Sequence, residues 1–226
     1  MAENKKDAAG TVSRDLSANR SFIEETFSVS ENFDFIVREF DVKFDDGEVP
    51  GFLVFYDGLV DQTYINRDIM RGLSQGGGKI PKPEEFADEV FKRIITLAPL
   101  TKEYDLRKVT EMITFGHCVI FIGGSDACFA ADVKGWGNRG VNEPLREASL
   151  SGPQEAFNEV IMSNLALIRK ILKDPNLIAE NIKVGSISQT PCALMYINGV
   201  TNKKLVSEVR HRIKNIDTDY ISHRGM

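Results

Sequence analysis

Apolar residues recur along this chain with two periods, and the switches between them mark its elements. Leu16, Phe22, Ile23 and Phe27 follow a polar stretch that ends near residue 13, and their spacing predicts one amphipathic helix after a disordered tail. FDFIVREFDVKF from Phe33 and GFLVFYD from Gly51 read as strands, with Asp45-Asp46-Gly47 as the hairpin turn between them. Asp61 is placed to cap a helix carrying Ile65, Ile69 and Leu73, and Gly76 to Gly78 with Pro81 and Pro83 then break the chain. Further helices are expected from Glu84 to about Leu97 and from Asp105 to about Thr114. HCVIFIGGSDACFAADV from His117 is two apolar runs around a Gly-Gly-Ser-Asp turn. Both runs are apolar at nearly every position, which predicts central strands covered on both faces.

A second pattern follows. A short strand near Arg146 to Leu150 leads to Ser151-Gly152-Pro153, where proline suits a first helical position. Phe157, Val160, Ile161, Asn164, Leu165, Ile168, Ile171 and Leu172 keep helical spacing for about four turns. Lys170 and Lys173 sit where the helix dipole favours cations, and Asp174-Pro175 ends the helix. Strands near Leu177 to Ser188 and Pro191 to Ile197, a helix from about Asn202 to Lys214 and a terminal strand near Asp217 to Ser222 complete a β-α-β-β-α-β order. The fold class expected is thus α/β (α+β), with a tail and leading helix over 1–30, a first mixed subdomain over 31–138 and a second over 139–226.

Between the two lies GWGNRGVNEPLREASLSGPQEAFNE, from Gly135 to Glu159. Arg139, Glu143, Arg146 and Glu147 alternate in sign, which can hold a connector on a fixed path through charge-assisted hydrogen bonds, and Trp136 can anchor it by burying its ring. The same residues also fit a surface linker with routine ion pairs. Gly135, Gly137, Gly140, Pro144, Gly152 and Pro153 are the expected hinge or cap positions. Asn164, on the apolar stripe, is either a satisfied core amide or a ligand contact.

Composition narrows the chemistry. Of 226 residues, 42% are hydrophobic and 27% charged, ordinary values for a globular protein, and a net charge of -5 argues against a nucleic-acid partner. The polar start has no apolar signal segment and no stretch approaches ~20 apolar residues, so a cytoplasmic chain without a bilayer span is expected. Three cysteines fit a reducing compartment. Gly72 to Lys79 imitates a phosphate loop but has Leu73 where the motif needs glycine and Ile80 where it needs Ser or Thr. A linker is expected there instead. Cys118, Cys128 and Cys192 form no nucleophilic constellation with His117, His211 or His223, and the strand period puts Cys118 and Cys128 on opposite faces. No His or Cys spacing suggests a metal site, and no cofactor is implied.

The order Lys134-Gly135-Trp136, Arg139-Gly140-Val141, Glu143-Pro144, Glu147, Ser151-Gly152-Pro153 and Phe157-Asn158-Glu159 resembles the N-terminal domain of the A subunit of GerA-type spore germination receptors. The likeness continues through Asn164 to Arg169, Asp174 to Leu177, Gly185 to Ser188, Ala193 to Ile197, Val209, Arg212 and Ile213, and Ile216-Asp217, covering most of residues 100–222. Leu145-Arg146 between the glutamates, Ala156, and Ser149-Leu150-Ser151 depart from the family pattern.

The resemblance implies a non-enzymatic regulatory domain followed by a membrane-embedded part, in the inner membrane of the spore with this domain on the core, or cytoplasmic, side. It implies B and C subunits and other A subunits as partners, nutrients such as amino acids, sugars or nucleosides as germinants, and a role coupling germinant detection to an ion pathway. The alternative is direct binding of a small germinant in the cleft between the two subdomains.

Overall fold

The hairpin from His117 is the centre of the molecule. In the computed structural model, β4 (Cys118–Ile122) and β5 (Cys128–Ala131) are buried at every residue. They lie inside a five-stranded sheet with β1 (Phe35–Phe44), β2 (Gly47–Tyr56) and β3 (Leu100–Glu103), in the order β1-β2-β4-β5-β3. Every pairing is antiparallel. The structure describes residues 10–74, 77–82, 85–95, 100–135 and 157–221. Residues 1–9 of the expected tail and the strand near Arg146 to Leu150 fall outside them, as does the boundary near residue 138. Residues 11 and 12, expected in the tail, are instead held to the start of α5, with Thr11 bridged to Asp105, the Val12 amide donating to the Tyr104 carbonyl at 2.8 Å and the Val12 side chain buried.

Alternation along the strands produces two cores, one on each face of the sheet. Leu53, Phe55, Cys118, Ile120 and Phe129 belong to one face. There they meet Ile65, Ile69 and Leu73 from a helical stretch made of α2 (Gln62–Tyr64), a π-helical stretch Ile65–Met70 and α3 (Arg71–Ser74), and also α4 (Phe86–Ile95) through Phe86 and Val90. Phe52, Val54, Val119, Phe121 and Cys128 belong to the other face, against α1 (Leu16–Thr26) and α5 (Leu106–Thr114). Each fully buried Phe or Leu contributes on the order of 1.5–3 kcal/mol, so this sandwich is the main source of stability.

Local signals set the element ends. Asp15, Asp61 and Asp105 accept backbone hydrogen bonds from Ser17, Thr63 and Arg107, satisfying first-turn donors that no helix can pair internally. Asp45 and Asp46 form the two-residue turn between β1 and β2. The glycine stretch is more than a linker: the Gly78 carbonyl accepts from the Asp45 amide at 2.8 Å, and Asp46 Oδ1 accepts from the Ile80 amide at 2.8 Å. β3, which the apolar pattern does not reveal, is a four-residue edge strand paired with β5.

A smaller assembly follows, of α6 (Ile161–Ile171), the antiparallel pair β6 (Leu177–Val184) and β7 (Thr190–Ile197), and α7 (Lys203–Lys214) capped by Asn202. Two expectations change here. Phe157 to Val160 precede the helix, and the buried face of α6 is Leu165, Ala166 and Arg169, whereas Phe157, Val160, Ile171 and Leu172 are exposed. The stripe rotates because α6 packs its Ala166 side onto the five-stranded sheet. Residues 217–221 form no strand; they run as an irregular segment whose Thr218 and Asp219 carbonyls accept from the amides of Ser186, Ile187 and Ser188. That contact satisfies the β6–β7 turn instead of a sheet edge.

Burial raises the thiol of Cys118 and pushes that of Cys128 up to about 12, whereas Cys192 is half-buried. The folded protein should therefore label at Cys192 alone with a thiol-specific reagent near pH 8, and at three cysteines once unfolded, counted by mass spectrometry.

Candidate functional site: a buried arginine between the two sheets

Asp34 stands just before β1, between two phenylalanines, and Arg169 stands one turn after Leu165 on α6. Both are charged residues at positions that ought to be apolar, and each explains the other. Arg169 Nε donates to Asp34 Oδ2 at 2.6 Å and its Nη2 donates to Asp34 Oδ1 at 2.7 Å, a two-pronged pairing that suits a planar guanidinium. The side chains are 3% and 0% exposed, so the pair is removed from water.

Further hydrogen bonds hold the pair, although the buried Tyr56 hydroxyl beside it makes none with any described residue. Arg169 Nη2 also donates to Asn32 Oδ1 at 3.0 Å, and Nη1 to the Leu177 carbonyl at 3.1 Å. Asn32 Oδ1 accepts in addition from the Ala179 amide at 2.7 Å, its Nδ2 donates to the Phe27 carbonyl at 2.6 Å, and the Phe33 amide donates to the Ala179 carbonyl. The outer edge of β6 is thus hydrogen-bonded to the loop before β1. Beneath the guanidinium lies the Tyr56 ring, 3.9 Å from Cζ, which meets Phe35 edge-to-face, and Phe35 in turn stacks on Phe27. This cation over a ring face adds attraction in a dry setting. Burial raises the pKa of the Tyr56 phenol, opposed by the Arg169 charge.

Three further contacts surround the ion pair. Gly58 has φ +81 and lies so close to α6 that a Cβ would stand 2.8 Å from the Met162 carbonyl, so only glycine fits there. Lys173 Nζ sits 3.8 Å from the centre of the Phe115 ring. On the far side of β6, Glu180 takes a bidentate contact from Arg210 at 2.7 and 2.5 Å and a hydrogen bond from Tyr196 Oη at 2.6 Å; Tyr196 Oη also reaches Glu31 at 3.2 Å. Hydrogen bonding to Arg210 holds Glu180 below the ordinary glutamate range despite partial burial.

Of the residues singled out from sequence, Asn164 is described: its Oδ1 accepts from the Asn158 amide at 2.8 Å and its Nδ2 donates to the Asn158 carbonyl at 2.7 Å, pinning the entry to α6. It also borders a cavity of about 610 Å³ between α6 and β7, lined among others by Phe157, Ile168, Cys192, Ala193 and Met195. That cavity lies within the smaller assembly, not in a cleft between the two sheets. Gly135 is described as well: a Cβ there would collide with the Asp61 backbone, so the chain leaves the sheet through a contact that only glycine allows. Trp136, Arg139, Glu143, Arg146, Glu147, Gly137, Gly140, Pro144, Gly152 and Pro153 lie outside the described residues. Among the described residues no group of three His, Cys, Asp or Glu could hold a metal ion. Among those residues, too, no helix is long and apolar enough to cross a membrane.

Two measurements test this geometry. Arg169→Ala strands a buried carboxylate and should cost about 3–5 kcal/mol in denaturant unfolding, whereas Arg169→Met combined with Asp34→Leu should cost clearly less than the sum of the single changes. Glu180, with its pKa lowered on folding, contributes stability that is present above its ordinary value of about 4.3 and is lost as pH falls through the lowered one. Arg210→Gln should therefore flatten the acid limb of the melting temperature measured between about pH 3 and pH 6.

The profile of the family described as "Bacillus/Clostridium GerA spore germination protein" matches residues 21–226. The chain is 28% identical to spore germination protein KA of Bacillus subtilis over 223 residues, which is 99% of this chain and 40% of that protein. It is 37% identical to spore germination protein A1 of Bacillus subtilis over 138 residues, 61% of this chain and 28% of that protein. The chain thus spans less than half the length of these curated relatives. A crystal structure of the N-terminal domain of the A subunit of the Bacillus megaterium spore germinant receptor GerK3 shares the fold, with a TM-score of 0.63 and 24% identity over 92% of this chain and 74% of that one. With the match running from the middle of α1 through both sheets to residue 226, the chain belongs to the GerA family of spore germination proteins.

Proposed function

We propose that this chain is the regulatory domain of a germinant receptor A subunit, and that it couples detection of a nutrient to an ion pathway in the membrane part of the receptor. The observation that carries this reading is the Asp34–Arg169 pair, which ties the smaller assembly to the five-stranded sheet through buried charge. In this reading the two sheets belong to two subdomains. A buried, multiply hydrogen-bonded pair is costly to rearrange and has few alternative partners, so it holds one relative placement of the subdomains until a binding event elsewhere stabilises another. Arg139, Glu143, Arg146 and Glu147 in the connector then set the path between them or dock a neighbouring subunit. B and C subunits, and further A subunits, are the expected partners, and the spore inner membrane is the expected site, with this domain facing the core.

Family membership favours a non-enzymatic role. The second reading is direct binding of a small germinant. The cavity between α6 and β7 favours it, because about 610 Å³ lined by apolar side chains together with Asn158, Glu159 and Asn164 has room for an amino acid, sugar or nucleoside.

Spores carrying Arg169→Lys in the full-length protein are the test. Lysine keeps the charge but loses the planar fork, so germination in response to nutrient should slow severalfold at unchanged receptor level. Wild-type germination kinetics in that variant, and in Arg139→Ala with Glu143→Ala, would remove the coupling role. Calorimetric titration of this chain with amino acids, sugars and nucleosides reads the second possibility, which needs saturable heat that is lost in Asn164→Leu.

A further inference from the structure

The described helix with the greatest concentration of positive charge is α7, in a chain whose net charge is -5. Its twelve residues hold Lys203, Lys204, Arg210, Arg212 and Lys214 against one carboxylate, Glu208, with His211 between them. Val206 is the buried residue of the helix, and Val209, Arg210 and Ile213 flank it against β6. Arg210 is spent on Glu180, and Arg212 neutralises Glu208 four residues earlier. Lys203, Lys204 and Lys214 are exposed and make no ion pair with any described residue, and His211 is exposed beside them. Of the carboxylates that follow, Asp217 and Asp219 are exposed, and Asp219 is engaged locally, its Oδ1 accepting from the Ser186 hydroxyl at 2.7 Å.

Apolar side chains flank this basic face at both ends. Val200 before the start, and Ile216 and Tyr220 after the end, are each about half exposed or more. A short helix that buries one side in its own protein, shows lysines along one flank and has exposed aliphatic and aromatic side chains beyond its ends is suited to a polar surface with an apolar layer beneath. Lysine stems and a tyrosine ring place their apolar parts inward and their polar tips at the headgroups.

We infer that α7 lays its outer face on an anionic lipid surface, through Lys203, Lys204 and Lys214 and the apolar residues at its ends. Charge complementarity carries this choice of occupant: the three exposed lysines form no ion pair with a described residue, and the chain's excess of acid elsewhere would repel the same surface, which orients the domain with α7 toward the lipid. The inference rests on the reading of the receptor as a membrane assembly, but its test involves no germination.

The experiment is flotation of this chain with vesicles of phosphatidylcholine alone and of phosphatidylcholine with a third phosphatidylglycerol. Binding is expected to the anionic vesicles only, and to fall as salt rises from about 0.05 to about 0.5 M. Each lysine should be worth roughly fivefold in affinity, so Lys203→Glu with Lys204→Glu and Lys214→Glu should weaken it at least about a hundredfold at unchanged melting temperature. Lys92→Glu with Lys108→Glu, on the five-stranded part, should bind as wild type. Equal binding to neutral vesicles, no binding to either, or full binding by the triple variant would overturn the inference. The no-binding result would direct the lysines to an acidic protein partner while leaving the coupling role to be decided by the spore assay.

Discussion

Everything in the arrangement of this chain turns on one buried charge pair. Asp34, just before β1, and Arg169, on α6, are separated by 135 residues, yet they meet with almost no exposure to water. Taking both from solvent costs several kcal/mol per ion, which the pair recovers only through two short hydrogen bonds to each other and further bonds to Asn32 and the Leu177 carbonyl. The net stability gained is small compared with the Phe and Ile packing on the faces of the five-stranded sheet. What the pair supplies is discrimination: a displaced α6 leaves a carboxylate and a guanidinium buried without partners. The tight approach of Gly58 to Met162 and the β6-edge bonds to Asn32 and Phe33 favour the same placement, so steric fit, backbone hydrogen bonding and charge agree.

That constraint gives a physical form to the regulatory reading. A joint that tolerated a continuum of angles would transmit little, because any local change would be absorbed. A joint with one well-satisfied arrangement moves as a unit or breaks to a distinct alternative, and either behaviour passes a signal from one sheet to the other. The outer network of Tyr196, Glu180, Arg210 and Glu31 repeats the logic at lower cost, because it is partly exposed.

The elements of the first part were legible because their signals are local. Asp15, Asp61 and Asp105 are capping residues by chemistry, Asp45-Asp46-Gly47 is a turn by conformation, and the unbroken apolar run from Cys118 to Ile122 can only be central. The opposite-face placement of Cys118 and Cys128 followed from the two-residue period alone, and the two cores bear it out. β3 was hidden because a four-residue edge strand is neither apolar nor alternating enough to announce itself. The face of α6 was misjudged because its apolar residues run nearly all round the helix, and period alone cannot choose between sides. The true marker of its inward side was the charged residue among them. Arg169 reads as a break in the stripe until Asp34 is known to face it, and pairing over 135 residues leaves no local trace. The connector residues from Trp136 to Pro153, which the alternating charges brought forward, lie outside the described part of the chain.

The central claim is that the buried pair fixes the smaller assembly on the five-stranded sheet. Spin labels at Lys108 on α5 and Lys204 on α7, each replaced by cysteine in a background freed of the native thiols, would read this as a distance distribution. The account predicts one narrow distribution with Arg169 present and a broadened or two-component one with Arg169→Ala under conditions where both sheets remain folded. An unchanged narrow distribution in that variant would contradict it.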